Sequence, residues 1–254
     1  MNYLKLCSVM LVASVVGVLG SGTVASASLI HSNVMGTSAF FTAITESSPT
    51  LDPLPLYDQP FAVGDELVFS PTGNFSANSV SGGPSDSTDG KLSLMITAKP
   101  GQFLDELKFS EVGLSILQAP FGGDAYTSVD ALAVIQVVMI NGQVVNLPAS
   151  LHSFVFTPQN TFQHSIDATG PSLASAWVGA LNVDLPALAT KVLVTVDNIL
   201  FAATTGTGTG ALIDKKGFTI SVVPDDEGNI PEPGTLALAI LAIGSAACGR
   251  RKLL

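Results

Sequence analysis

The sequence predicts an all-β fold, a single antiparallel two-sheet sandwich of jelly-roll type, carried between two terminal targeting segments. Three observations lead there. Apolar residues between Ser28 and Val223 recur with a period of two rather than 3.6. Clusters of Gly, Pro, Ser and Asn punctuate these runs at the spacing expected of short strands. Outside the ends, no uninterrupted helical pattern of about 12 residues occurs.

Taken in chain order, strands are expected at Ala39–Thr45, Glu66–Ser70, Lys91–Ala98 and Phe103–Ser110. Lys91–Ala98 is the clearest, with Leu92, Leu94, Ile96 and Ala98 on one face and Ser93, Met95 and Thr97 on the other. Further strands follow at Leu132–Ile140, Ser153–Thr157, Phe162–Ala168, Ala176–Leu185, Lys191–Asp197 and Phe218–Val222. Asn141-Gly142 stands between β-branched runs, and two residues able to take positive φ there predict a type I′ hairpin. Leu181–Ala189 has room for a turn or two of helix, interrupted by Pro186. Loops are expected at Glu46–Pro60, Asn74–Gly90 and Thr204–Gly210, and a flexible acidic stalk at 224–230. The only tryptophan, Trp177, is expected in the core. No internal repeat of a length suited to a propeller or solenoid is present.

The ends have a different grammar. Residues 1–27 form a signal peptide: Lys5 is the positive lead, Leu6–Leu19 is uncharged and apolar, and Ala25-Ser26-Ala27 is the small-residue cleavage pattern. The mature chain then starts at Ser28. At the other end Pro231-Glu232-Pro233 precedes an uncharged stretch, Gly234–Cys248, and the cations Arg250, Arg251 and Lys252. As a transmembrane helix over 234–249, the 15-residue uncharged part would rise about 22 Å. That is shorter than the roughly 30 Å hydrocarbon core, a mismatch that membranes tolerate. The trailing cations should stay cytoplasmic.

This three-part tail resembles the PEP-CTERM sorting signal of Gram-negative bacteria. The resemblance rests on Pro231, Glu232 and Pro233, the short span, and Arg250, Arg251 and Lys252, about 25 residues in all. It implies anchoring in the inner membrane, recognition by an exosortase-type processing enzyme with cleavage near the motif, and release to the cell surface or medium. It also implies an environment rich in extracellular polysaccharide. A looser resemblance, carried by Gly64–Phe69, Thr88–Leu92 and Pro100-Gly101, links the preceding 50 or so residues to uncharacterised ectodomains that travel with such tails. It implies no established activity.

Setting both ends aside sharpens the chemistry. The exported region keeps six lysines, no arginine and nineteen acids, a net charge of −13. Such a surface excludes nucleic acid as a partner. Without arginine, bidentate capture of phosphate is also excluded. Cys7 and Cys248 both lie in the ends, so the folded part has no disulfide framework. His31 is expected near a disordered new N-terminus and His164 on a half-buried or edge strand. No HExxH, G-x-S-x-G, Walker or dinucleotide motif occurs. Gly206–Gly210 reads as a hairpin tip. A glycoside hydrolase needs paired carboxylates, and Glu46, Glu66, Asp105, Glu106 and Glu111 are the candidates. In Asp86–Gly90, Asp86 and Asp89 offer oxygens to calcium, while Asp89-Gly90 equally reads as a plain turn.

The functional expectation is a non-enzymatic exported surface or matrix-associated protein. The alternative is a carbohydrate-binding module or carbohydrate-active hydrolase on the same β framework.

Overall fold

The computed structural model describes residues 27–165 and 172–225. The signal peptide up to Ser26, the motif Pro231-Glu232-Pro233, the span 234–249 and the cations Arg250, Arg251 and Lys252 lie outside these described residues. So does most of the acidic stalk. No helix among the described residues is long and apolar enough to cross a membrane.

The described residues are all-β and antiparallel. The strands are β1 (Ala27–Ile30), β2 (Val34–Met35), β3 (Ala39–Ser48), β4 (Phe61–Val63) and β5 (Glu66–Phe69). Then come β6 (Ser76–Val80), β7 (Asp86–Ala98), β8 (Leu104–Gln118), β9 (Asp124–Ile140) and β10 (Gln143–Val144). The last are β11 (Ser150–Ser153), β12 (Val155–Thr157), β13 (Thr161–Ser165), β14 (Ser172–Thr204) and β15 (Gly210–Pro224). The main path runs β1-β3-β7-β14-β8-β15-β5-β4, with β9 on β14, β6 on β15, and β10, β11 and β13 on β9.

Hydrogen bonding is continuous through all fifteen strands, so the architecture is one curled antiparallel sheet rather than two separate ones. β14 makes the curl. Its first part, Ser172–Asp184, pairs with β8, and its second part, from Ala189 on, pairs with β9 and, over Lys191–Ala202, with β7. Between them Asp184 faces Glu106 and Ala189 faces Leu104, so extra residues bulge out of β14. Pro186 sits there without an N–H to give to a ladder, and Leu188 has φ 63°. The predicted helical turn at Leu181–Ala189 is therefore replaced by a bulged bend in one long strand.

Two smaller bulges reset which residues face inward. In β3 the register shifts between Thr42 and Thr45, with Ala43 at φ 51°. Before the shift Ala39 and Phe41 are buried, after it Ile44, Glu46 and Ser48. In β15 the register shifts between Lys215 and Gly217. Ala211, Ile213 and Lys215 are inward before it, Phe218, Ile220 and Val222 after it. A strand period of two forbids such a switch without an inserted residue.

The hairpin at Asn141-Gly142 forms as predicted, with φ 48° and 72° and Gln143 opposite Ile140. Trp177 is buried as expected, packed on Gly113, where a Cβ would stand 2.1 Å from the indole. The loop expected over Asn74–Gly90 is instead mostly strand, in β6 and the start of β7. The fold also holds the first residues of the expected stalk: Pro224 closes β15 and the Asp225 amide donates to the Phe103 carbonyl at 3.2 Å.

Candidate functional site

The inward faces of three strands deliver polar groups to one apolar place. Glu111 lies on β8 in the series Leu107, Phe109, Glu111, Gly113, all buried. Asn198 lies on β14 in the series Val194, Val196, Asn198, Leu200, also all buried. Lys215 is the last inward residue of β15 before its bulge, held opposite Gly113, with its amide donating to the Phe75 carbonyl at 3.0 Å. Glu111, Asn198 and Lys215 are 1%, 0% and 0% exposed.

Their side chains converge on one atom. Lys215 Nζ and Asn198 Nδ2 both donate to Glu111 Oε2. The ammonium also faces three aromatic rings, with centroids at 4.8 Å (Phe75), 5.0 Å (Phe218) and 5.4 Å (Tyr57). Tyr57 meets Phe75 and Phe218 edge-on at 5.1 and 5.6 Å, closing a cage that excludes water. Burial pushes the Lys215 pKa down, opposed by the Glu111 charge and hydrogen bond. Burial likewise pushes the Tyr57 hydroxyl up, helped by Glu111, and that hydroxyl donates to the Gly90 carbonyl at 3.0 Å.

The centre is not fully satisfied. Glu111 Oε1, Asn198 Oδ1 and Trp177 Nε1 are buried without a hydrogen-bond partner. Gly179 explains how Glu111 fits: a Cβ there would stand 2.7 Å from Glu111 Cγ and 2.8 Å from Oε1. Buried unsatisfied polar atoms are costly, about 1–3 kcal/mol each, and a group of them calls for a chemical reason.

A second buried carboxylate is built differently. Glu46 is 1% exposed and accepts from the Leu56 amide at 3.0 Å and the Tyr57 amide at 2.9 Å. His31 Nε2 lies 3.5 Å from Glu46 Oε2. The expectation of a disordered His31 is thus corrected: it is 6% exposed, and the bond to Glu46 raises its pKa against the opposing effect of burial. His164 is on β13, which among the described residues pairs with β9 alone, and is more buried than predicted, at 4%. His152 sits beside Ser150, at 2.8 Å.

The other sequence-predicted residues do not assemble. Asp86 and Asp89 are three apart on an unbulged stretch of β7 and so point to opposite faces. Asp86 accepts from the Asn78 amide at 2.8 Å, whereas Asp89 is close enough to Asp197 on the neighbouring strand to feel its charge. Burial and the Asp197 charge push the Asp89 carboxyl up to about 7. Among the described residues no group of three or more His, Cys, Asp or Glu is placed to hold a metal ion. Of the candidate hydrolytic carboxylates, Glu46 and Glu111 are occupied as above, and Glu106 pairs with Lys108 at 3.1 Å. Asp105 is exposed and Glu66 half-buried on β5. An open cleft of about 440 Å³ lies between Thr97–Phe103 and the Asn141-Gly142 turn, and no carboxylate lines it. Ala27, from the predicted cleavage site, opens β1 opposite Ser48.

Asn198 and Lys215 were not singled out from the sequence, and Glu111 appeared there only as one carboxylate of five. For Asn198 a signal existed: it is the one polar residue at an inward position of the run Val192–Ala202.

No protein-family model matches the chain, and no curated protein matches it either. Among solved structures, an enzymatically active domain of tailspike protein 4 from bacteriophage CBA120 is similar at 12% identity and a TM-score of 0.22. The match covers 78% of this chain and 19% of that one, so the chain spans about a fifth of the tailspike domain's length. The carbohydrate-binding module TmCBM61, solved with β-1,4-galactotriose, is similar at 8% identity and a TM-score of 0.20. That match covers 79% of this chain and 90% of the module. Scores this low leave the function of the chain to its own residues.

Proposed function

We propose that the chain is an exported, non-enzymatic surface or extracellular-matrix-associated protein. It is held at the inner membrane by its C-terminal tail and processed by an exosortase-type enzyme at Pro231-Glu232-Pro233. In this reading the curled sheet packs as a two-layer, jelly-roll-like passenger, the helix 234–249 is a temporary anchor, and Arg250, Arg251 and Lys252 hold it from the cytoplasmic side.

The observation that supports the reading is the order of the last residues: Pro231-Glu232-Pro233, the uncharged stretch Gly234–Cys248, then Arg250, Arg251 and Lys252. In sequence, only residues 226–230 lie between that motif and Asp225, whose amide is bonded to the Phe103 carbonyl beyond β15. The buried carboxylates support it too, because Glu46 and Glu111 are engaged by partners inside the fold rather than facing a cleft.

Replacing Pro231-Glu232-Pro233 with alanines, followed by fractionation of the cells, tests the proposal. Full-length protein should accumulate in the inner membrane and disappear from the medium. Unaltered processing and secretion would remove the sorting function.

A further inference from the structure

We propose that Lys215 and Asn198 become joined by an intramolecular isopeptide bond, formed by the fold itself with Glu111 carrying the protons. The three groups that such a reaction needs meet on one oxygen: an amine nucleophile, a carboxamide electrophile and a carboxylate that can take and return a proton. They come from three different strands, so only the finished fold brings them together.

The chemistry balances without any added reactant. Glu111 removes a proton from the Lys215 ammonium, and the free amine attacks Asn198 Cγ. A new Nζ–Cγ bond forms as the Cγ–Nδ2 bond breaks. The departing nitrogen takes a second proton from the amine, relayed through Glu111, and leaves as ammonia. Nothing is oxidised or reduced. Glu111 is left protonated, so a buried ion pair is replaced by a neutral amide and a neutral acid.

The surroundings favour each step. Burial lowers the Lys215 pKa and so favours the free amine. Tyr57, Phe75 and Phe218 close off the site and keep water from competing for the electrophile. The unpartnered atoms also find a purpose. Asn198 Oδ1 is the oxygen that gains charge during attack, and a protonated Glu111 can donate to it. As a static ion pair the site would carry the desolvation cost of two charges together with three orphaned polar atoms. The bond removes both charges. It would also tie β14 to β15 covalently in an exported region that has no cysteine.

Trypsin digestion of the purified full-length chain and mass spectrometry test the bond directly. An acylated Lys215 is no longer cut, so a peptide spanning 192–216 should appear, lighter than its sequence mass by one ammonia molecule. No backbone fragments should arise from cleavage between Asn198 and Lys215. The Glu111→Gln chain should instead give full mass and be cut after Lys215. Should that variant fail to fold, Lys215→Arg supplies the same comparison. Cleavage of the wild-type chain after Lys215 at full mass would overturn the proposal. So would an ammonia loss accompanied by ordinary fragments through 198–215, which marks a cyclic imide at Asn198 alone.

Discussion

Glu46 and Glu111 are both carboxylates taken out of water, yet the fold holds them by opposite means. Glu46 is received by two backbone amides and a histidine that can change its charge. Glu111 is received by a lysine and an asparagine side chain, with its second oxygen left bare. Backbone amides fix a carboxylate as a structural acceptor, and here they tie the 49–60 segment to β3. Side-chain partners place reactive groups against one another. Burial alone therefore does not define a functional carboxylate; the identity of its partners does.

The same substitution at both positions should separate them. Glu111→Gln blocks the bond and leaves the Lys215 ammonium buried without a counter-charge, and an uncompensated buried charge costs about 3–5 kcal/mol. Glu46→Gln keeps one acceptor for the two amides and spoils the other, at about 1–3 kcal/mol. Chemical denaturation midpoints would rank the two, and equal losses would break the comparison.

The next effect is one of pH and belongs to the Glu46 side alone. The His31 pKa is raised above 6.5 by Glu46. Its contribution is then complete below the unfolded value and fades as pH rises through the folded one. Melting temperature should fall through that window in the wild-type chain, and His31→Gln should flatten that part of the profile.

A second pH effect comes from the Asp89–Asp197 pair on the adjoining strands. Asp89 titrates at about 7 in the fold against 3.8 as a free side chain, so the folded state holds the extra proton between those values. Stability is lost as pH rises across that interval. Asp89→Asn should leave the melting temperature near pH 3.5 little changed and raise it at pH 8. A lower melting temperature at pH 8 would contradict the raised Asp89 pKa.

Much of the fold was legible in period-two runs, because stretches such as Lys91–Ala98 within β7 and Leu132–Ile140 within β9 alternate along the strand. The Asn141-Gly142 hairpin was legible for a local reason, the demand for positive φ. The continuity of β14 through Pro186 was not, since a proline in a strand reads as an end until a bulge absorbs it. The site was hidden by the same device. Extending the phase of Phe218, Ile220 and Val222 backward turns Lys216 inward and Lys215 outward, and the bulge between Lys215 and Gly217 reverses that. In β3, extending Ala39 and Phe41 forward turns Glu46 outward until the shift at Ala43 corrects it. Glu111 and Asn198 kept their strand's phase and were readable as inward. Their meeting was not, because Glu111 and Asn198 are 87 residues apart in the chain.

The central claim is that the Glu111 centre is spent in forming a bond while the Glu46 centre is not. Nuclear magnetic resonance of protein labelled at its lysine side-chain nitrogens reads this most directly. The account predicts one lysine nitrogen bearing a single proton and resonating among amides, reverting to an amine or ammonium signal in Glu111→Gln and persisting in Glu46→Gln. A wild-type spectrum in which every lysine nitrogen keeps amine or ammonium character would contradict it.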